Sequence, residues 1–439
     1  MKTPYYGSET TKAKNNFQIS GIIAPKIFRK ALGMVKMAAA QTNSELKLLN
    51  PKQLKTILQA SQEFTNGKFD NDFTLDVFQA GAGTSYNMNA NEIIANRANE
   101  LLGGKKDEYK FVHPNDHVNM AQSTNDVIPT VIRLSTLLLM PNLLESIKTI
   151  ENELEKIAKK HSKTLKVGRT HLQDAVPITL GQEFDSYKEA IKKSRIQIEN
   201  QSQDLKILGI GGTAVGTGIT AHPKYKELMV KNLSKLTGIK FVSAKNLTEI
   251  TNNMNSFLNF SGALRSLAIN FLNLCANLKI MNMGPLAGIS EISLPEVQAG
   301  SSIMPGKVNP SVAECLEMIC IQVLGNDETI KLSCERSQFE LNVFGPIIMN
   351  NLLQSMKIIT SGLETFYKLC LKNIQINTTQ IKKLFENSLC TATALSPVLG
   401  YQKTAEIIKA ALKKGITIRQ EVLSRKLLTQ KKLDKILSV

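Results

Sequence analysis

Eleven consecutive residues, Gly300, Ser301, Ser302, Ile303, Met304, Pro305, Gly306, Lys307, Val308, Asn309 and Pro310, carry the clearest chemistry in the chain. Lysine is a compact positive charge, and with the Asn309 amide two residues on it can grip a carboxylate while a serine faces the bound group. The same run would also serve as a flexible surface loop closed by a proline at a helix start. Three other polar stretches offer hydroxyl, amide and imidazole groups, at 79–91, 113–126 and 168–181. Several of their residues have plain structural uses. Ser123 and Thr124 would suit a helix cap, and His113, Asn115 and Asp116 would suit a cap or a turn. His171 would suit a buried, hydrogen-bonded histidine, and His117, His161 and His222 read as surface or turn residues. The glycine-rich run at 211–218 lacks the lysine and the preceding strand of a phosphate-binding loop, which excludes nucleotide binding there.

Such groups need rigid elements to hold them, and those elements read as helices. Leu143, Ile147, Ile150, Leu154 and Ile157 recur at steps of three and four, the spacing of one apolar helix stripe. Phe257, Ser261, Leu264, Leu267, Phe271, Leu274 and Leu278 keep that rhythm over 254–280, long enough for a bundle helix packed on several sides. Further helices are expected at 182–200, 310–323 and 346–374, and strand-like alternation is scarce. The fold class is therefore all-α. It divides into an N-terminal helical domain (1–125), a central long-helix domain (126–375) and a small, basic C-terminal helical domain (376–439). The chemistry-bearing stretches at 79–91, 113–126, 168–181 and 284–310 are expected as loops between helices.

The chain has 439 residues, 42% of them hydrophobic and 21% charged, enough apolar material for a large core. Its start, Met1-Lys2-Thr3-Pro4-Tyr5-Tyr6-Gly7, is polar and does not resemble a signal peptide. The apolar stretch 131–144 contains Arg133 and Pro141 and is too short to span a bilayer. Cys275, Cys315, Cys320, Cys334, Cys370 and Cys390 form no CxxC pair and have no histidine at metal-ligand spacing, so reduced, mostly buried thiols in a cytoplasmic protein are expected. The net charge of +17 comes from lysines dispersed over helices, with aromatics at 5% and no nucleic-acid-binding signature. A solvated lysine-rich surface follows, with no nucleic-acid and no membrane partner, and its field would favour an anionic substrate.

The run at 300–310 resembles the signature of the fumarase/aspartase superfamily, in the form shared by class II fumarases and aspartases. Gly81-Ala82-Gly83-Thr84-Ser85-Tyr86-Asn87-Met88-Asn89, His113-Pro114-Asn115-Asp116-His117-Val118-Asn119 continuing to Gln122-Ser123-Thr124-Asn125-Asp126, and Gly168-Arg169-Thr170-His171-Leu172-Gln173-Asp174 resemble further family motifs, in family order. The resemblance implies a central bundle of five long helices per subunit and a homotetramer in which each active site is shared by three subunits. It implies Ser301 as general base, activated on a closing loop. Thr84, Ser123 and Thr124 would stabilise an enediolate, and Lys307, Asn309 and Thr170 would hold the other carboxylate. Asn125 and His171 would stand near the departing amine or hydroxyl, and Glu314 would orient and charge His171. His113, Asn115 and Asp116 resemble a secondary dicarboxylate site of fumarases, beside their reading as a turn. No cofactor is implied, since the carboxylate is the electron sink, and no metal site is visible.

The leaving group is expected from finer resemblances. Tyr5-Tyr6-Gly7, Ala82 and Ser85, Thr124, Leu172-Gln173-Asp174-Ala175-Val176-Pro177, Asn246-Leu247-Thr248-Glu249 and Leu294-Pro295-Glu296-Val297-Gln298-Ala299 are aspartase-like. Phe339-Glu340-Leu341-Asn342-Val343-Phe344-Gly345-Pro346, Thr393-Ala394-Leu395 and Gly400-Tyr401 are closer to fumarase. The balance favours an ammonia-lyase acting on L-aspartate over a hydro-lyase, with a non-catalytic basic binding protein on the same fold as a third reading. Leu286 departs from the family, standing where an arginine is usual beside the catalytic loop.

Overall fold

The apolar stripes at steps of three and four do become helices: 64% of the chain is helical, about twice the share of an average globular protein. The computed structural model describes residues 4–437; Met1, Lys2 and Thr3 of the polar start, and the last two residues of the expected C-terminal domain, lie outside them. The chain forms two units, each assembled from three separated stretches. The first takes the described residues of Met1–Leu144 with Ser194–Ala268 and Ile321–Ile359. The second takes Glu145–Lys193, Ile269–Cys320 and the described residues of Thr360–Val439.

The early helices are α1 (Ser8–Asn16), α2 (Lys26–Glu45), α3 (Pro51–Thr65) and α4 (Thr84–Leu101). They are followed by α5 (Thr124–Lys160), α6 (Leu180–Gln201), α7 (Tyr225–Thr237), α8 (Leu247–Asn252), α9 (Asn255–Met281), α10 (Ser311–Cys334) and α11 (Gly345–Leu369). Among the described residues, the helices longer than 21 residues are α5, α6, α9, α10 and α11, and each has residues in both units. Helix α10 outruns its expected end by eleven residues, since Gly325 is tolerated inside it. The largest departure is α5, whose 37 residues continue through Pro129 and Pro141. By length and composition alone α5 could cross a membrane, but 67% of its apolar window is buried within the fold, as in a core helix.

In the first unit α2 packs against α3 and α7, and α4 packs against α1 and α3. Local chemistry starts these helices. Asn50 and Gln53 form a reciprocal cap on α3, with Pro51 at its first position. Helix α1 has no side-chain cap of its own. Buried Glu92 of α4 supplies one, accepting the N–H groups of Gly7 (2.9 Å), Glu9 (3.0 Å) and Thr10 (3.1 Å). Phe28, Phe64, Phe73 and Tyr86 pack beneath, with ring centroids 5.4 to 5.7 Å apart.

The second unit corrects the expected loop at 168–181. Strand β1 (Leu165–Thr170) pairs antiparallel with β2 (Gln173–Thr179) as a hairpin, and the rest of the stretch enters α6. The pattern hid it because a bulge at Gly168 breaks the alternation. Likewise α4 starts at Thr84, so only the first part of 79–91 is loop. The C-terminal segment is short-helical as expected: α12 (Thr378–Asn387), α13 (Cys390–Thr393), α14 (Ser396–Leu399), α15 (Tyr401–Lys414), α16 (Ile418–Ser424) and α17 (Gln430–Leu437). Leu395, Ile407, Ile418, Val422 and Leu433 form a small core there, and α12 rests on β1. The six cysteines are free; Cys275, Cys320, Cys370 and Cys390 are buried, and Cys315 is exposed. His161 lies in the turn after α5, as one of its readings held, and is buried there with its ring bonded to Thr164 (3.2 Å).

Glu63 joins α3 to Arg97 of α4 at 2.7 Å and also meets Lys68 at 2.7 Å. Partial burial pushes its carboxyl up, but the bonds from Arg97 and Lys68 outweigh that and hold it at about 2. A depressed carboxyl contributes stability that is fully present above its ordinary value and is lost as pH falls through the folded one. Glu63→Gln should therefore flatten the loss of stability between about pH 4.5 and 2, measured by denaturant unfolding across that window. An unaltered acid limb would show that the pair is not a tie.

Candidate active site

The expected site residues fall into two groups. Thr84, Ser123, Thr124 and Asn125 lie in the first unit; Thr170, His171, Ser301, Lys307, Asn309 and Glu314 lie in the second.

In the first unit, exposed Thr84 opens α4 after Ala82 and Gly83, both left-handed at φ 61° and 85°. A side chain on Gly83 would press on Ile128 of α5 at 3.2 Å, so glycine lets α4 and α5 approach closely. One turn after Thr84, Asn87 donates to Thr124 Oγ1 (3.3 Å), which joins the first turns of the two helices. Ser123 Oγ accepts the Asn125 N–H (3.2 Å), and Asn125 Nδ2 donates to the Ala214 carbonyl (2.8 Å). The capping use of Ser123 is thus real. All three remain half-exposed, with hydroxyl and amide groups available to a bound anion.

Beneath this turn lie two buried charges. Lys36, on the inner face of α2, is fully buried, and its Nζ donates to Asn87 Oδ1 (2.8 Å), Asn119 Oδ1 (3.0 Å) and Gln122 Oε1 (3.0 Å). Asp126 accepts the N–H groups of Ser123 (2.9 Å), Gly211 (3.0 Å) and Thr213 (2.9 Å). The glycine-rich run at 211–218 therefore does cradle an anion, but the anion is the chain's own carboxylate. Burial pushes the Lys36 amine down to about 7, offset by the charge of Asp126. Burial likewise pushes the Asp126 carboxyl up to about 7, against its three backbone bonds and Lys36. Three oxygens around three N–H donors is nonetheless the geometry of an ammonium, since a neutral amine would turn a lone pair on one of them.

In the second unit, His171 and Leu172 form the two-residue turn of the β1–β2 hairpin, with φ 54° and 58°. A turn with both residues left-handed favours Asn-Gly, so His-Leu here stores backbone strain, a feature concentrated at functional sites. Thr170 and His171 are exposed at the tip. The hairpin is pinned from below: Lys166, 3% exposed, meets Glu183 and also fully buried Glu291 (3.0 Å), and Arg169 meets Glu291 (2.9 Å). The loop at 297–310 folds back on itself. Asn309 Nδ2 donates to the Gly300 carbonyl (2.7 Å), and a side chain on Gly300 would stand 1.8 Å from the Lys307 carbonyl. Ser301 Oγ accepts the N–H groups of Ile303 (3.2 Å) and Met304 (3.1 Å). Lys307 is exposed, as is apolar Ile303 at 82%. Glu314 is exposed in the first turn of α10, and no hydrogen bond or ion pair joins it to His171 among the described residues.

His113 Nδ1 accepts the N–H groups of Asn115 and Asp116 (both 3.3 Å), capping the short helical turn Pro114–Val118, as one of their readings held. No group of three or more His, Cys, Asp or Glu suited to a metal ion occurs among the described residues. Sequence reasoning overlooked Lys36, whose signal was available: it takes a place in the apolar stripe of Phe28, Leu32 and Ala40, four residues apart along one helix face.

Lys36→Met would leave three buried amide oxygens without their donor, a loss of about 1–3 kcal/mol or more. The variant is expected to unfold at lower denaturant, with faster hydrogen exchange at 119–126; wild-type values for both would show that the ammonium does not hold the turn.

A family profile described as "Lyase" matches residues 2–325, and one described as "Fumarase C C-terminus" matches 392–439. The aspartate ammonia-lyase of Bacillus subtilis is 43% identical over 434 residues, covering 99% of this chain and 91% of that protein. The class II fumarate hydratase of Brucella suis is 42% identical over 433 residues, covering 98% and 94%. Among solved structures, a class II fumarase from Schistosoma mansoni superposes with a TM-score of 0.95 at 34% identity, covering 99% of this chain and 94% of that one.

Proposed function

We propose a reaction for a chain that belongs to the fumarase/aspartase family of lyases: the reversible elimination of ammonia from L-aspartate, giving fumarate. The observation that carries it is the pair of backbone N–H groups, from Ile303 and Met304, already directed at Ser301 Oγ. Donors placed there stabilise an alkoxide over a hydroxyl and lower the pKa of a serine otherwise too weak to act as a base.

In this reading Ser301 removes the proton beside one carboxylate, and the electron pair moves into that carboxylate as an enediolate. Thr84, Ser123 and Thr124 supply hydrogen bonds to the developing charge. Lys307, Asn309 and Thr170 hold the other carboxylate, with Lys307 as the point charge. Collapse of the enediolate expels the amine near Asn125 and His171, with Glu314 orienting His171. The carboxylate itself takes the electron pair, so no cofactor enters the scheme. The proposal includes a cytoplasmic homotetramer whose sites draw on three subunits; the lack of a His171–Glu314 bond within one chain is what such sharing would produce.

Thr124, Ala82 and Ser85 favour ammonia as the leaving group. The alternative is a class II fumarate hydratase, favoured by the stretch at 339–346 and by relatives of equal similarity. Fumarate absorbance followed with and without ammonium separates the two. Consumption that requires ammonium and yields aspartate is expected; malate formed without ammonium would replace this reading with the hydratase. Ser301→Ala should lower kcat by about 10²–10⁴-fold with the helical circular dichroism unchanged, and a fully active variant would remove Ser301 as base.

A further inference from the structure

We propose that the cavity beside Arg133 in the first unit is a second ligand site, built for a small amino acid whose carboxylate meets the buried guanidinium. The cavity measures about 520 Å³, within the size range of small-molecule sites. Its wall holds Arg133 of α5, the short segments at 204–207 and 242–246, and the starts of α8 and α9. None of the candidate catalytic or substrate-binding residues lines it.

The case begins with charge. Arg133 is 2% exposed, and no ion pair reaches it among the described residues. Its Nη1 donates to the Asp204 carbonyl (3.1 Å), and its face lies over the Phe257 ring at 4.9 Å. Nε is buried with no partner, and Nη2 makes no hydrogen bond. Buried charges in proteins are ordinarily paired, and Nη2, neither bonded nor enclosed, is the donor left for a charge-assisted bond to a carboxylate.

Two further orphans lie in the same wall. The hydroxyls of Ser243 and Ser256 are buried without partners. These hydroxyls, like Nε, are enclosed behind the cavity surface, and Nη2 is the unpaired donor left for a ligand.

The remaining charges narrow its class. Asp204 and Glu249 also line the cavity and act on the Arg133 charge from beyond contact distance. They would repel a dianion such as phosphate or a dicarboxylate and would attract an ammonium group. Lys245 at the rim leaves the lining without net charge. A carboxylate at one end and an ammonium at the other match this layout; that is the pattern of a monocarboxylic amino acid.

The test is calorimetric titration of the full-length assembled protein with glycine, L-serine and L-glutamine, and with inorganic phosphate as the contrasting anion. At least one amino acid should bind with Kd at or below about 1 mM, and phosphate should bind more weakly. Arg133→Gln should weaken that binding at least about tenfold. Asn259→Phe, at an exposed position in the wall, should do the same by filling the cavity while leaving Arg133 in place. Lys307→Met should retain it, since the site is separate from the candidate catalytic loop. The proposal is overturned if no amino acid binds at about 50 mM, a concentration that would detect even weak sites. It is also overturned if phosphate binds best, if binding survives Asn259→Phe in a folded variant, or if Lys307→Met abolishes it.

Discussion

A lysine ammonium with three oxygens around it, set under the start of α5, is the constraint on which the candidate residues of the first unit rest. Taking a charge out of water is expensive, and Lys36 remains buried because Asn87, Asn119 and Gln122 replace its water shell. Those three side chains come from α4 and from the turn before α5, so satisfying one charge fixes the relative placement of three segments. Asp126 performs the mirror-image task, tying the first turn of α5 to Gly211 and Thr213 through its carboxylate. Ser123 and Thr124 belong to this frame, through the Ser123 N–H to Asp126 and the Thr124 hydroxyl to Asn87, and with Thr84 and Asn125 they keep part of their surface exposed.

The second unit uses a different device. Its hairpin tip is strained, and the strain persists because the strands beneath are anchored to the buried carboxylate of Glu291 through Lys166 and Arg169. The loop bearing Ser301 is held by its own backbone, with Asn309 clasping Gly300. An exposed Ile303 on such a loop is the apolar surface expected of a segment that closes over a ligand.

The long helices were legible in the sequence because each carries its own apolar stripe, a signal contained within the element. The β1–β2 hairpin was not, since a bulge at Gly168 disturbs the alternation and His-Leu is not a recognisable turn pair. The continuity of α5 through Pro129 and Pro141 was equally hidden, because the neighbours that compensate a broken helix bond lie far away in sequence. Motif order exposed the candidate catalytic residues, and the cap at Ser123 and the turn at His113 could be named from residue type alone.

The sequence by itself determined the helical class and the family, and it named candidate hydroxyls, amides and charges for a dicarboxylate, since those depend on residue type and short spacing. Tertiary structure alone decided which charges are buried and what satisfies them. The acceptors of Lys36 stand 51, 83 and 86 positions from it, and the backbone groups that hold Asp126 stand as far as 87 away. Arg133 likewise reads in sequence as one charge in an apolar run, and only the packed fold shows it buried beside a cavity with a donor left unpaired. Desolvation and hydrogen-bond satisfaction are properties of a surrounding assembled from distant segments, and no local pattern encodes them.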